Sequence, residues 1–353
     1  MRRLPVYLVI DVSESMVGQP IEQVRKGMRE IVQQLRSDPY ALETAWVSVI
    51  AFAGRPKTLV PLIETYTFFP PEIPIGGGTG LGTVLNHLMD DIERNVVKTT
   101  ADRKGDWKPV VFLMTDGIPT DDPKSAIARW NKSFRRRAAM TVIAIGDNVD
   151  PLLFGQLTDS IVRFNADGED SYKKFFRWIS ASVTASSKSV ADFGEEGIKH
   201  APMEGINLEK VKIEDRAETG NSSKIDDNYA VFEGKCQTTG NRYLIKYARR
   251  PEGMHFGNDL SATDFKLVGA YPIDGNIYDS LSAKGYKPAT ISVSRLYGQP
   301  ICPCCGNQHG FVTCECGRIF CVGEQEFIKC PWCGIEGTLK VTNEAFDVGR
   351  TQG

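Results

Sequence analysis

The sequence predicts an α/β protein: a doubly wound, mostly parallel sheet, then a β-rich module, then a small cysteine-bearing unit. Three observations carry that prediction. Short apolar runs alternate with segments of helical period through the first 190 residues, the pattern of a parallel sheet covered on both faces. Past residue 206 the helical period fades, and short alternating runs between turn residues replace it. Eight of the nine cysteines fall between Cys302 and Cys333.

Residues 5–11 read as the first buried strand. Ile21, Val24, Met28, Ile31 and Leu35 follow at helical spacing, and Asp38-Pro39 ends that helix. Ala45 to Ala53 and Lys57 to Ile63 flank the turn Gly54-Arg55-Pro56 and predict an antiparallel hairpin. A glycine-rich loop, Pro74 to Thr83, opens a helix carrying Val84, Leu85, Leu88, Met89 and Ile92. Val110 to Met114 is the most apolar strand and ends in Thr115-Asp116-Gly117. A helix with Ala126, Ile127, Trp130 and Phe134 follows, then a strand from Met140 to Ile145 closed by Gly146-Asp147. Pro151 to Leu157 reads as a short helix, Ser160 to Phe164 as a last strand, and Tyr172 to about Val190 as a closing helix. Residues 1–190 thus form the first domain, 191–205 a linker, 206–300 a β-rich module with one short helix near Ile277 to Ala283, and 301–345 the cysteine unit.

A chain of 353 residues is long for one core. Its 41% hydrophobic and 24% charged residues are ordinary for a globular protein. A net charge of −2 gives no general attraction to nucleic acid or anionic membrane. The apolar run after Arg2-Arg3 stops at Asp11, too short for a signal peptide, and no stretch approaches the ~20 apolar residues of a membrane helix. The expected location is cytoplasmic, where clustered cysteines point to metal and not to disulfides.

Asp11, Ser13 and Ser15 end the first strand, and alone they read equally well as a helix cap or a ligand set. Thr79 in the glycine-rich loop and Asp116 after the strand Val110 to Met114 decide between the two. Both strand ends belong at the carboxyl edge of the sheet, where open α/β sheets bind ligands. Hydroxyl and carboxylate oxygens from three loops suit Mg²⁺, with Mn²⁺ or Ca²⁺ as substitutes, in a partly hydrated shell. An open position would remain for an acidic group of a partner. Competing chemistries lack their parts. The glycine-rich loop has no Gly-Lys-Ser/Thr ending, no second Asp lies two residues after Asp11, and no Gly-x-Ser-x-Gly elbow surrounds the serines. His87 reads as a surface or core residue, and Arg135-Arg136-Arg137 as a solvated helix end.

Cys302-Pro-Cys-Cys305-Gly and Cys330-Pro-Trp-Cys333-Gly share a Cys-Pro-x-Cys-Gly knuckle. Two such knuckles supply the four thiolates of a tetrahedral Zn²⁺ site, so Cys302, Cys305, Cys330 and Cys333 are the expected set of a C-terminal zinc ribbon. Gly310 to Thr313 and Arg318 to Phe320 look like its hairpin. Cys314, Cys316 and Cys321, with Cys304 and His309 nearby, either build a second zinc site, replace a ligand of the first, or are buried thiols. Without metal the unit has too little apolar area to fold. Three basic against five acidic residues between Cys302 and Phe346 give it no nucleic-acid footprint.

Asp-Val-Ser-Glu-Ser, Gly-Gly-Thr and Met-Thr-Asp-Gly together resemble the metal-ion-dependent adhesion site of von Willebrand factor A (VWA) domains, over roughly residues 4–190. The resemblance implies that hydroxyls bind the cation directly, that the aspartates often bind through water, and that the site holds a protein ligand without chemistry. The cysteine series resembles the metal-binding C-terminal domain of bacterial TerY-like proteins, associated with tellurite resistance. That resemblance implies a stress-response setting with a Ser/Thr protein kinase and a metal-dependent protein phosphatase as partners. Phosphoacceptors are available in Thr184 to Ser189 and Thr219 to Ser223, although such residues are usually plain surface. The leading expectation is a non-enzymatic adaptor whose Mg²⁺ accepts a partner's Asp or Glu. The alternatives are a metal-dependent hydrolase or phosphoryl-transfer enzyme, with Glu14 as its one candidate base or else a solvent-facing residue, and nucleic-acid binding through the ribbon.

Overall fold

The computed structural model describes residues 2–146, 149–165, 168–193, 197–211, 228–249, 264–283, 285, 289–339 and 345–351. Asp147 and the Thr219 to Ser223 stretch lie outside the described residues.

The first domain is built on a seven-stranded sheet of order β3-β2-β1-β4-β5-β6-β7. Its strands are β1 (Leu4–Asp11), β2 (Ala45–Phe52), β3 (Pro56–Glu64), β4 (Val110–Thr115), β5 (Ala139–Ile145), β6 (Ile161–Phe164) and β7 (Leu208–Lys210). The five central strands run parallel, and β3 and β7 close the two edges antiparallel. The helices are α1 (Gln19–Ser37), α2 (Pro39–Thr44), α3 (Leu81–Asn95), α4 (Lys124–Ser133), α5 (Pro151–Gly155) and α6 (Glu169–Phe193). Period-2 alternation in β1 sorts the core. Val6, Leu8 and Ile10 face Met28, Phe175 and Ile179 of α1 and α6, while Tyr7 and Val9 face Leu85, Leu88 and Trp130 of α3 and α4. The short α2 was not expected from the sequence. Asp38 caps it by accepting from Ala41 N at 2.9 Å, and Pro39 fits its first position.

Residues 197–211 belong to this domain and not to a linker and the next module. Lys199 N and Ala201 N donate to Ser186 and Ser182 of α6, Trp178 Nε1 donates to the carbonyl of Ala201, and β7 pairs with β6. These bonds also account for Ser182 and Ser186 of α6. Ser186, Ser187 and Ser189 are buried and are not surface phosphoacceptors.

The second domain centres on a six-stranded sheet of order β12-β10-β9-β8-β14-β13. Its parts are β8 (Tyr229–Lys235), β9 (Arg242–Arg249), β10 (Phe265–Ile273), α7 (Gly275–Leu281), β11 (Ala289–Ser292), β12 (Leu296–Tyr297), β13 (Phe311–Thr313), β14 (Ile319–Cys321), β15 (Phe327–Lys329), β16 (Glu336–Thr338) and β17 (Asp347–Arg350). The expected ribbon hairpin is β13–β14, but β14 also pairs in parallel with β8. The boundary expected at residue 300 is therefore absent. A unit with little apolar area of its own borrows a core: Ile319, Cys302 and Cys321 sit with Phe232, Tyr243, Ile245 and Phe265. β17 returns to pair with β11, and Thr351 N donates to Val231 O at 2.8 Å.

Candidate metal centres

β1 and β4 are neighbours in the sheet, with Ile10 opposite Met114. Asp11 and Asp116 therefore stand side by side at its carboxyl edge. Ser13 N donates to Asp11 Oδ1 at 2.9 Å, and Thr115 Oγ1 donates to Asp11 Oδ2 at 2.6 Å. A single 3₁₀ turn, Glu14–Met16, brings Ser13 Oγ and Ser15 Oγ to 2.9 Å, and Ser15 Oγ donates to Asp116 Oδ1 at 2.9 Å. A side chain at Gly117 would meet Thr79 Oγ1 at 3.4 Å and Asp11 Oδ2 at 4.0 Å, so Thr79 borders the same small space. Thr79 is pinned there by Thr120, whose Oγ1 accepts from Thr79 N at 2.9 Å and whose N donates to Thr79 O at 2.8 Å.

All five predicted oxygen ligands thus converge. Their exposure is low: Asp11 0%, Ser13 0%, Ser15 2%, Thr79 3% and Asp116 8%. The spacing fits a hard cation. Adjacent oxygens of an octahedron with Mg–O of about 2.1 Å lie about 3.0 Å apart, close to the 2.9 Å seen between Ser13 and Ser15. Burial pushes the Asp11 carboxyl up to about 6, against the hydrogen bonds of Thr115 and Ser13 that lower it. A cation would favour the charged form of such a buried carboxylate.

Glu14 does not face solvent. It is fully buried, and its carboxylate accepts from Gly78 N at 2.9 Å and Tyr278 OH at 2.5 Å. Its two oxygens are engaged in holding loops together. His87 is half-buried and meets Thr58 Oγ1 at 2.7 Å, away from the five ligands. A cavity of about 480 Å³ lined by Lys108, Arg135, His200 and Lys210 lies at the opposite edge of the sheet and contains none of the predicted ligands.

The cysteines form two quartets: the expected set of Cys302, Cys305, Cys330 and Cys333 is split between them, and Cys314, Cys316 and Cys321, the further candidates, complete them together with Cys236. Cys302 and Cys305 join Cys236 and Cys321, whereas Cys330 and Cys333 join Cys314 and Cys316. The two Cys-Pro-x-Cys-Gly knuckles therefore do not share a metal. Strand register separates them. Phe320 lies opposite Lys235, which sets Cys321 beside Cys236, and Phe311 opposite Cys321 brings in the Cys302 knuckle from the other side. Within each quartet the sulfurs lie within 4.8 Å of one another. Individual pairs stand at 3.8 Å (Cys305–Cys321), 3.6 Å (Cys314–Cys333) and 4.0 Å (Cys316–Cys330). Four thiolates about 2.3 Å from a common centre lie about 3.8 Å apart at tetrahedral corners, so the spacing fits zinc.

Each quartet has one thiol tuned toward thiolate. Burial raises Cys236, but hydrogen bonds from Thr239 and Cys305 bring it down to about 6. Burial also raises Cys330, and the amides of Cys333 and Trp332 bring it down to about 7. Cys304 stands outside both quartets and is pushed up to about 11 by burial and neighbouring sulfurs. His309 is also outside them, 3.9 Å from Glu324.

Cys236 is the ligand that sequence reasoning missed. The signal was present: Cys236 and Gly240 repeat the spacing of Cys302 and Gly306 and of Cys330 and Gly334. In all three turns the glycine N donates to the first cysteine's carbonyl at 2.9 Å, with the glycine at φ of +73° to +80°, a region that suits glycine.

Residues 6–174 match the von Willebrand factor type A domain, and residues 226–353 match the TerY-C metal binding domain. No curated protein sequence matches the chain. Among solved structures, proximal thread matrix protein 1 of the mussel byssus is similar at 16% identity over 60% of this chain and 49% of that one, with a TM-score of 0.39. A structure of the same mussel protein described as having a zinc-occupied MIDAS motif aligns at 16% identity over 52% of this chain and 48% of that one, with a TM-score of 0.37. The conserved hypothetical protein BatB of Bacteroides thetaiotaomicron aligns at 16% identity over 52% of this chain and 98% of that one, with a TM-score of 0.35. The chain thus spans about half the length of the mussel structures it matches.

Proposed function

We propose that this chain, a von Willebrand factor type A domain joined to a TerY-C metal-binding domain, is a non-enzymatic adaptor that docks a partner's carboxylate on a hard cation. The two domains together fit a metal-dependent adaptor. Asp11, Ser13, Ser15, Thr79 and Asp116 would hold Mg²⁺, which when bound offers an open coordination position to an Asp or Glu side chain. The chain of 2.9 Å contacts from Ser13 through Ser15 to Asp116 is the observation that carries this reading. Asp116, the most exposed of the five at 8%, marks the side of approach. The chain's own work is positional: Thr115 and Ser13 orient Asp11, and Thr120 orients Thr79.

The two cysteine quartets would hold Zn²⁺ as structural tetrahedral sites, with no position left open. The partners proposed are a Ser/Thr protein kinase and a metal-dependent protein phosphatase in a stress response of the tellurite-resistance type. Engagement of both Glu14 oxygens weighs against a hydrolase, because metal-assisted hydrolysis needs a base beside the cation. Among the described residues no helix is long and apolar enough to cross a membrane.

The test is affinity capture from native cell extract by the full chain. Partner retention should require Mg²⁺, be lost in EDTA, and be lost in Asp11→Ala with unchanged circular dichroism. Equal retention by parent and Asp11→Ala in Mg²⁺ and in EDTA would sink the reading.

A further inference from the structure

The loops that carry the oxygen ligands are not supported by the first domain alone. Lys246 of β9 is 3% exposed, and its Nζ donates to the carbonyl of Ser15 and, at 3.4 Å, to that of Val17. Tyr278 of α7 donates to Glu14, the residue between the two ligand serines. Beside the glycine-rich loop, Ser282 Oγ accepts from Gly77 N at 2.8 Å, and Ala283 N donates to Gly77 O at 3.2 Å. Leu281 O accepts from Arg55 N at 2.7 Å. A Cβ at Gly77 would meet Ser282 Oγ, Glu14 Oε1 and Tyr278 OH, all within 3.0 Å. The contact is also apolar. Val231, Leu244, Tyr278 and Leu281 belong to the same apolar cluster as Val12, Met16 and Ile75. An apolar interface of this kind fixes two domains relative to each other.

The supports are in turn tied to the cysteine quartets. Cys236 follows β8 directly, and Lys246 stands opposite Val231 in the β8–β9 ladder. Arg242 of β9 holds α7 through a bidentate pair with Asp279 at 2.7 and 2.8 Å and through the carbonyl of Gly275 at 3.1 Å. The same guanidinium lies 5.3 Å from the ring of Tyr278 and 5.7 Å from that of Trp332, inside the Cys330 knuckle. Lys235 Nζ donates to Pro331 O in that knuckle at 2.8 Å. Domains whose cores are closed by thiolate-bound metal lose their packing without it.

We infer that the oxygen-ligand site is a composite of both domains, in which Lys246, Tyr278 and Ser282 are positioning residues, so that metal loading of the cysteine quartets sets the affinity for the hard cation. The inference rests on reading Asp11, Ser13, Ser15, Thr79 and Asp116 as a cation site. It gives the two metals an order: the soft-metal sites fill first and the hard-cation site becomes competent second.

The experiment uses the full chain and Mn²⁺ as probe, with free and bound Mn²⁺ counted by electron paramagnetic resonance. Tyr278→Phe keeps the ring and removes one donor, and Ser282→Ala removes one acceptor at the other loop. Loss of a hydrogen bond to a charged group is expected to weaken Mn²⁺ binding about tenfold in Tyr278→Phe, and Ser282→Ala should weaken it less. Zinc content and far-ultraviolet circular dichroism should match the parent in both. Stripping zinc from the parent with a soft-metal chelator should weaken Mn²⁺ binding at least as much, and re-adding zinc should restore it. Parent-like Mn²⁺ affinity in both variants, or in the zinc-stripped parent, overturns the inference while leaving the cation site standing. If the parent binds Mn²⁺ no better than Asp11→Ala does, the cation site itself is wrong and the inference falls with it.

Discussion

The two cysteine quartets use similar turns in very different surroundings. In one, Cys236, Cys302 and Cys321 are at most 2% exposed and form part of the second domain's apolar core. In the other, Cys330 is buried, Cys314 is half-buried, and Cys316 and Cys333 are exposed. The first takes its ligands from three separated segments, and the second from two neighbouring turns. The contrast teaches that a knuckle's sequence fixes its local turn, while the surroundings decide what its metal holds together. The core quartet joins β8, β14 and the Cys302 turn. The surface quartet holds its own two turns and presses Trp332 against Arg318, whose guanidinium lies 4.5 Å from the ring.

Four substitutions grade the contrast. Cys236→Ser should be the most damaging. Structural zinc can supply on the order of 10 kcal/mol of folding energy, against a typical total stability of about 5–15 kcal/mol. One metal should be lost by elemental analysis, and hydrogen exchange should show β8, β9 and β14 open while β1 and β4 stay protected. Cys316→Ser should also release one metal, but exchange should rise only around residues 314–334, with a smaller drop in the thermal midpoint. If both variants open the whole second domain equally, the distinction between core and surface quartets is wrong.

His200 in the first domain supplies a metal-independent reference. Burial, with Lys210 nearby, lowers its pKa from 6.5. The folded protein therefore holds fewer protons than the unfolded chain. Stability from this site is fully present above pH 6.5 and is lost as pH falls through the lower folded value. His200→Phe should shallow the fall in urea midpoint between pH 7.5 and 5.5 without changing metal content; an unchanged slope would contradict the assignment. Cys304→Ser should have the smallest effect, because Cys304 lies outside both quartets. It should retain both metals and shift stability by well under the few kcal/mol of a lost core contact. Loss of a metal there would mean the quartets are wrongly composed.

These differences also mark what the sequence could reveal. Asp11, Ser13, Ser15 and Asp116 were legible because each sits at the end of an apolar run, and adjacent parallel strands bring such ends together. Thr79 was legible from its glycine-rich loop. The knuckles were legible as turns, but their pairing was not, since Phe320 opposite Lys235 is a register between strands 85 residues apart. Cys236 stood alone in the chain; its sequence signal was the cysteine-to-glycine spacing it shares with the knuckles, and that register supplied its partners. Glu14 was ambiguous for the same reason: Tyr278, its partner, is 264 residues away. The sheet class followed from local period, whereas β7 was hidden because three residues of mixed character carry no period.

The return of β17 means that the second domain's fold closes only after its later strands have been made. Val348 pairs opposite Ile291, and Thr351 reaches back to Val231. At about 5–20 residues per second, the strands of the first sheet are complete many seconds before the last strand of the second domain exists. For that interval a nascent chain carries its oxygen ligands on loops without Lys246, Tyr278 or Ser282 in place. A nascent chain is therefore chemically unlike a folded one until the second domain's residues reach those loops.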